Sequence, residues 1–153
     1  MLRIGVISDT HGLLRPEALA QLQGSDHIVH GGDIGNQAIL DQLAAIAPLT
    51  VVRGNNDRGP WADAVPETAR LDLGAVSIYA IHDIATVPIN LAAAGIRVLV
   101  TGHSHRPLAQ WRDGILYLNP GSAGPRRFSL PISLAELLVD GDTVTARIIA
   151  LAA

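Results

Sequence analysis

Apolar residues in this 153-residue chain fall in short runs separated by polar clusters. Residues 2–8 are mostly apolar and bounded by polar positions, which predicts a strand buried on both faces that ends at Asp9. Residues 14–22 predict a helix: Ala18, Leu19 and Leu22 share a face, Pro16 suits the first turn and Gly24 stops it. A very short strand over 26–30 follows. Asn36 is placed to cap a helix that runs to Ile46, with Ile39, Leu40, Leu43 and Ile46 as its apolar stripe, and Pro48 introduces a strand over 49–53. The order so far is β-α-β-α-β.

From Gly54 the pattern changes. The stretch to Glu67 reads as loop with one helical turn, and residues 68–73 and 75–81 flank Gly74 as a hairpin. A helix is predicted over 88–94 and a buried strand over 96–101. Residues 108–112 and 115–119 flank Asp113-Gly114, a strong two-residue hairpin signal, and 132–139 with 143–151 flank Asp140-Gly141-Asp142. No repeat or linker interrupts the chain. The expectation is one domain over 1–153, of α/β class: a four-layer α/β/β/α sandwich of two mixed sheets flanked by helices.

Composition narrows the chemistry. Hydrophobic residues make up 48% and charged residues 16%, enough apolar material for a sizeable core and too little charge for a disordered chain. All eleven basic residues are arginine, they are scattered, and fourteen acidic residues leave a net charge of −3, which disfavours a basic nucleic-acid-binding surface. With no cysteine, thiolate metal sites, disulfides and a cysteine nucleophile are excluded; a metal would need His, carboxylate, Asn or backbone oxygen. The N-terminal apolar run is too short for a secretion signal and no stretch reaches the ~18 residues of a membrane span, so the expected location is cytoplasmic.

Polar residues gather where strands end. The clusters are Asp9-Thr10-His11, Gly31-Gly32-Asp33, Gly54-Asn55-Asn56-Asp57, His82-Asp83 and Gly102-His103-Ser104-His105. If the strands are parallel neighbours, their carboxyl ends bring all five to one edge. In extended chain, Asp9 and His11, and likewise His103 and His105, point the same way. Taken singly, Gly-Asp and Gly-Asn-Asn-Asp are ordinary turns and His82 could satisfy a carbonyl, while the His-x-His pair is more suggestive. Together and in order they indicate a metal centre.

Asp-x-His, Gly-Asp, Gly-Asn-x-Asp, His and Gly-His-x-His, with Asn119-Pro120-Gly121-Ser122, resemble the calcineurin-like metallophosphoesterases, in particular their small bacterial and archaeal phosphodiesterase subfamily. The resemblance covers nearly the whole chain. It implies one metal held by Asp9, His11, Asp33 and His105 and a second by Asp33, Asn55, His82 and His103, with Asp33 bridging. Such a set suits Mn²⁺, which is favoured, or Ni²⁺, Fe, Zn²⁺ or Mg²⁺. Two divalent ions and two ligating carboxylates leave about +2, a draw for a small phosphoester. The implied reaction is phosphodiester hydrolysis by a metal-bridging hydroxide. The rivals are a phosphomonoesterase or nucleotide phosphatase, and a non-catalytic scaffold like the retromer branch, against which the seven intact ligands argue. A homo-oligomer is compatible with this reading.

Three features depart from the resemblance. Asn56 stands where many superfamily members have a His that protonates the leaving oxygen; an amide can contact phosphate or the leaving group but cannot supply that proton. Asp83 replaces a usual Gly, with capping of a helical turn favoured over contact with the metals. No cap domain is visible. The resemblance also implies that Arg126, in a recurring Pro-Arg, touches substrate phosphate. His30 is a candidate support for Asp33, and Asp57 is expected to order its own loop. Arg127 is expected as solvated surface, His27, Trp61 and Trp111 as core or edge packing, and residues 119–122 as a rigid turn beneath the site.

Overall fold

The computed structural model describes residues 1–151; Ala152 and Ala153, inside the expected 1–153 domain, lie outside the described residues. The chain runs through β1 (Leu2–Ile7), α1 (Pro16–Leu22), β2 (His27–His30), α2 (Gln37–Ala44), β3 (Leu49–Val51) and a one-turn α3 (Pro60–Asp63). It continues through β4 (Thr68–Leu73), β5 (Val76–Ile81), a 3₁₀ turn (Ile84–Thr86), β6 (Val98–Val100), β7 (Leu108–Arg112), β8 (Ile115–Asn119), β9 (Ser133–Asp140) and β10 (Thr143–Ala150).

Two five-stranded mixed sheets result, ordered β10-β9-β1-β2-β3 and β4-β5-β6-β8-β7. In the first, β1, β2 and β3 are parallel and β9 is antiparallel to both of its neighbours, β1 and β10; in the second, β5, β6 and β8 are parallel, with antiparallel β4 and β7 at the edges. Alternation along the strands divides the core. Ile4, Val6, Val29 and Leu137 meet Ile78, Val98, Val100 and Leu118 between the sheets. Ile7, Ile28 and Leu134 face the other way, onto Ala18 and Leu22 of α1 and Ile39 and Leu43 of α2. These strands are covered on both faces, which is why their sequences read as continuous apolar runs. The architecture is the expected α/β sandwich of two packed sheets.

Boundaries differ in places. The α1 helix starts at Pro16 because the residue before a proline avoids the helical region, and Arg15 is extended at φ −69°, ψ 143°. β3 stops at Val51, short of the expected 49–53. The helix expected over 88–94 does not form. Val87, extended before Pro88, closes the 3₁₀ turn, and Asn90 is itself a cap: its side chain accepts from Ala93 N–H at 3.0 Å and its carbonyl from Ala94 N–H at 3.0 Å. Gly95, at φ 73°, ends the segment after that single turn. The outer face of the second sheet, with Tyr79, Ile81 and Leu99, is therefore covered by Val87, Leu91 and Ala94 from irregular chain.

Candidate metal centre

The carboxyl ends of β1, β2, β3, β5, β6 and β8 deliver the five polar clusters and Asn119 to one edge of the sandwich. The chain there is not extended. Asp9 (φ 54°), His11 (47°), Asp33 (57°), His103 (71°) and His105 (61°) are five of the seven non-glycine residues at positive φ among the described residues. Each costs on the order of 1–3 kcal/mol and persists only where the surroundings enforce it. Here the loops after β1 and β2 are zipped together: Asp9 N–H donates to Gly32 O (3.0 Å), His11 N–H to Asp33 O (2.9 Å) and Gly12 N–H to Ile34 O (2.8 Å). The expectation that His103 and His105 point the same way in extended chain is thereby corrected. The left-handed turns send His105 toward Asp9 and His11, and His103 toward Asp33 and His82.

Among the described residues, these form two groups that could hold a metal ion: Asp9, His11 and His105; and Asp33, His82 and His103. Asp9 Oδ2 accepts from the Ser8 hydroxyl (2.8 Å) and His103 N–H (3.1 Å), which leaves Oδ1 facing His105 Nε2 at 3.4 Å, His11 Nε2 at 3.8 Å and His82 Nε2 at 4.0 Å. Asp33 Oδ2 lies 3.2 Å from His82 Nε2 and 3.7 Å from His11 Nε2, so one carboxylate oxygen looks into both groups. Asn55 Oδ1 is 3.2 Å from His103 Nδ1, and His11 Nε2 is 3.3 Å from His105 Nε2. Asp9 Oδ1 and His82 Nε2 are buried without a hydrogen-bond partner. Buried polar atoms left unpaired are costly, and an anionic oxygen beside imidazole nitrogens is a donor set that fits a divalent cation.

Backbone contacts set which atoms face inward. His82 Nδ1 lies 2.7 Å from Gly31 O; as the N–H donor it leaves Nε2 toward the centre. Burial favours the neutral ring, but Asp33 and Asp9 outweigh it and raise the His82 pKa above its ordinary value. Burial likewise opposes ionisation of Asp33, yet the His82 ring and the two Asn56 donors, N–H at 2.9 Å and Nδ2–H at 3.1 Å, hold its carboxyl well below the usual carboxylate range. Two carboxylates in this setting call for positive charge between them. Side-chain space is equally restricted. A Cβ on Gly54 would collide with the Asp33 carboxylate, and one on Gly102 with the Ser8 hydroxyl and, at 2.7 Å, Asp9 Oδ2.

The family model described as "Calcineurin-like phosphoesterase superfamily domain" matches residues 2–142. The chain belongs to this superfamily. A probable metallophosphoesterase of Methanothermobacter thermautotrophicus is 32% identical over 158 residues, 95% of this chain and 91% of that one. Phosphodiesterase YfcE of Escherichia coli is 28% identical over 176 residues, 95% of this chain and 91% of that one. Among solved structures, Vps29 of Chaetomium thermophilum superposes with a TM-score of 0.79 at 21% identity, covering 97% of each chain. Calcineurin-like phosphoesterases use divalent metals, and both groups of candidate ligands stand at the strand ends of this fold.

The supporting residues also find their places. His30 is buried, accepting from Gly32 N–H at Nδ1 (3.0 Å) and meeting Thr10 Oγ1 at Nε2 (3.0 Å), so it joins the loops after β1 and β2. Asp57 orders more than its own loop, since its carboxylate accepts from Gly54, Ile34 and Gly35 N–H groups at 2.9, 2.8 and 3.1 Å. Asp83 caps the 3₁₀ turn through Ala85 N–H (3.0 Å). Asn119 donates to Gly102 O (2.9 Å) and accepts from Gly121 N–H (2.9 Å), bracing the turn beneath the site. Arg126 and Arg127 line a cavity of about 310 Å³ beside His11 and His105; Arg127 is exposed, as expected of surface, yet it also forms part of that wall. His27 pairs with Thr50, Trp61 packs on the α1–α2 side and Trp111 is on edge strand β7 with the Arg97 guanidinium above its ring, all as expected of packing residues. Nothing in the sequence assigns Ser8 a role, although its hydroxyl, next to the strand-end Asp9, donates to Asp9 Oδ2 at 2.8 Å; within the expected 119–122 turn the Ser122 hydroxyl donates to Asp9 O at 3.0 Å.

Proposed function

We propose that this chain is a two-metal phosphodiesterase. The observation that carries the reading is Asp33 Oδ2, which faces both ligand groups at 3.2 and 3.7 Å. One metal would be held by Asp9, His11, Asp33 and His105 and the other by Asp33, Asn55, His82 and His103, with Mn²⁺ favoured. When bound, two such ions supply Lewis-acid charge to the phosphate and make hydroxide available near neutral pH. The chain itself fixes the geometry: Ser8 and His103 N–H hold one oxygen of Asp9 so that the other is presented inward, and Gly31 O does the same for His82. One Asn56 amide hydrogen goes to Asp33, and the second is free for a phosphate or leaving-group oxygen. Asn56 has no proton to give, so the departing oxygen takes one from solvent. Arg126, on the cavity beside His11 and His105, contacts substrate phosphate.

The phosphodiesterase name of the E. coli relative supports a diester over a monoester. Residues 1–153 act as one domain in this reading, working in the cytoplasm; no helix among the described residues is long and apolar enough to cross a membrane. The test is turnover of bis(p-nitrophenyl) phosphate against p-nitrophenyl phosphate by Mn²⁺-reconstituted protein. A higher kcat/KM on the diester is expected. Preference for the monoester would favour a phosphomonoesterase, and no turnover with any divalent ion a scaffold.

A further inference from the structure

The arginines divide by location. Seven of the eleven donate to a side-chain or carbonyl oxygen, whereas the side chains of Arg58, Arg106, Arg126 and Arg127 have no hydrogen-bond or carboxylate partner among the described residues. All four lie in loops leaving the carboxyl ends of β3, β6 and β8, around the candidate metal centre. A protein with net charge −3 thus gathers at one edge the four guanidinium groups that have no partner, while Arg3, Arg53, Arg70 and Arg147 are paired with carboxylates and Arg15, Arg97 and Arg112 are held by neutral oxygens.

The two sides of the centre differ. Beside His82 and His103, a cavity of about 360 Å³ contains Arg53, but Arg53 donates to Glu67 at 2.8 Å and Asp83 adds another carboxylate to the wall. Beside His11 and His105, the 310 Å³ cavity is lined by Arg126 and Arg127 and by no acidic residue. A phosphodiester has two arms, and these two walls would sort them by charge. We propose that Arg127, beside the Arg126 that contacts the scissile phosphate, binds a second anionic group, so that the preferred substrate is a small phosphodiester carrying a further phosphate on the arm that lies over His11 and His105. This rests on the phosphodiesterase reading and deepens it.

Size favours a small molecule. The cavity is at the lower end of the roughly 300–1,000 Å³ of small-molecule sites, and four free arginines fall short of the ~6–10 phosphate contacts with which proteins grip a nucleic-acid backbone. Arg is suited to the task because its fork matches phosphate oxygens in pairs and stays charged at any working pH.

The test compares two esters that differ only by the second phosphate: the 5′-p-nitrophenyl esters of thymidine 3′,5′-bisphosphate and of thymidine 5′-phosphate. The ratio of their kcat/KM values is the readout, because metal loading cancels in it. We expect the bisphosphate to be preferred by about 10- to 100-fold at low salt, the range for hydrogen bonds to charged groups, and Arg127→Ala to bring the ratio to within about threefold of unity. Arg70→Ala, which removes a charge bound to Asp72 at 3.0 Å on the distant β4 edge, leaves the ratio as it was. Calorimetric binding of thymidine 3′,5′-bisphosphate and thymidine 5′-phosphate gives the same comparison without turnover. A bisphosphate preference abolished by Arg127→Ala upholds the inference even in a protein that hydrolyses neither ester, a result that would count against the phosphodiesterase reading alone. Equal affinity for the two nucleotides, or a preference untouched by Arg127→Ala, overturns it.

Discussion

His30 makes one pH dependence calculable from the structure. The ring is fully buried, and burial pushes its pKa down to about 4. Thr10 donates its hydroxyl to Ile34 O at 2.8 Å and Gly32 N–H points at Nδ1, so the neutral ring with its hydrogen on Nε2 satisfies every partner. In the unfolded chain the same ring titrates near 6.5. Below that pH the unfolded state binds a proton that the folded state refuses until about pH 4, so the stabilisation is complete above pH 6.5 and is lost as pH falls through the window. At about 1.4 kcal/mol per pH unit, roughly 3 kcal/mol disappears, a large share of the ~5–15 kcal/mol of a typical domain. The perturbation is His30→Asn, which keeps an acceptor near Gly32 N–H but does not titrate. Urea unfolding of both proteins in chelator, from pH 7 to pH 4, gives the stability difference; Asp33 and His82 also titrate, but they are present in both proteins and cancel. The wild-type advantage should shrink by roughly 3 kcal/mol across this range. A difference that stays constant with pH, or a His30 ring that titrates near 6.5 by NMR in the folded protein, would refute the reasoning.

Other consequences are equally direct. Asn56→His should raise turnover of alkyl phosphodiesters by up to ~10²–10⁴-fold, the reach of general acid catalysis, with little gain on nitrophenyl esters that depart without a proton; steady-state kinetics showing equal gains would remove Asn56 from the leaving group. Gly54→Ala pushes a methyl group into the Asp33 carboxylate, so metal affinity should fall at least ~10-fold by calorimetric titration, while full affinity would mean that the loop yields at no cost. Free Mn²⁺ at 100 times its Kd should add ~2.7 kcal/mol per site, raising Tm on the order of 10 °C for two sites, and an unchanged melting curve would count against a preformed centre.

Much of this centre was legible because strand ends are. The runs before Asp9, His82 and His103 are mostly apolar and end abruptly at polar residues, and the parallel pairing of β1 with β2 and of β5 with β6 converts those endings into one edge. Other features depend on tertiary partners and leave no local trace. The inward-facing nitrogen of His82 is chosen by Gly31 O, a backbone atom 51 residues away. His11 and His105 meet through left-handed turns that no extended-chain argument anticipates. The helix expected over 88–94 shows the opposite failure: the apolar spacing suggests a helix, but the Asn90 cap and Gly95 leave room for a single turn. Arg127 reads as ordinary surface because neither its free guanidinium nor its neighbours across the cavity can be seen in the sequence.

The central claim is a pair of metal ions sharing Asp33, and metal content tests it most directly. Wild-type protein, Asp33→Ala and Asn55→Ala, each loaded with Mn²⁺, desalted and confirmed folded by circular dichroism, should be assayed by elemental analysis. The account predicts two ions per chain in the wild type, neither in Asp33→Ala, and loss confined to one ion in Asn55→Ala. Full occupancy in Asp33→Ala, or a single ion in the wild type at saturating Mn²⁺, would contradict it.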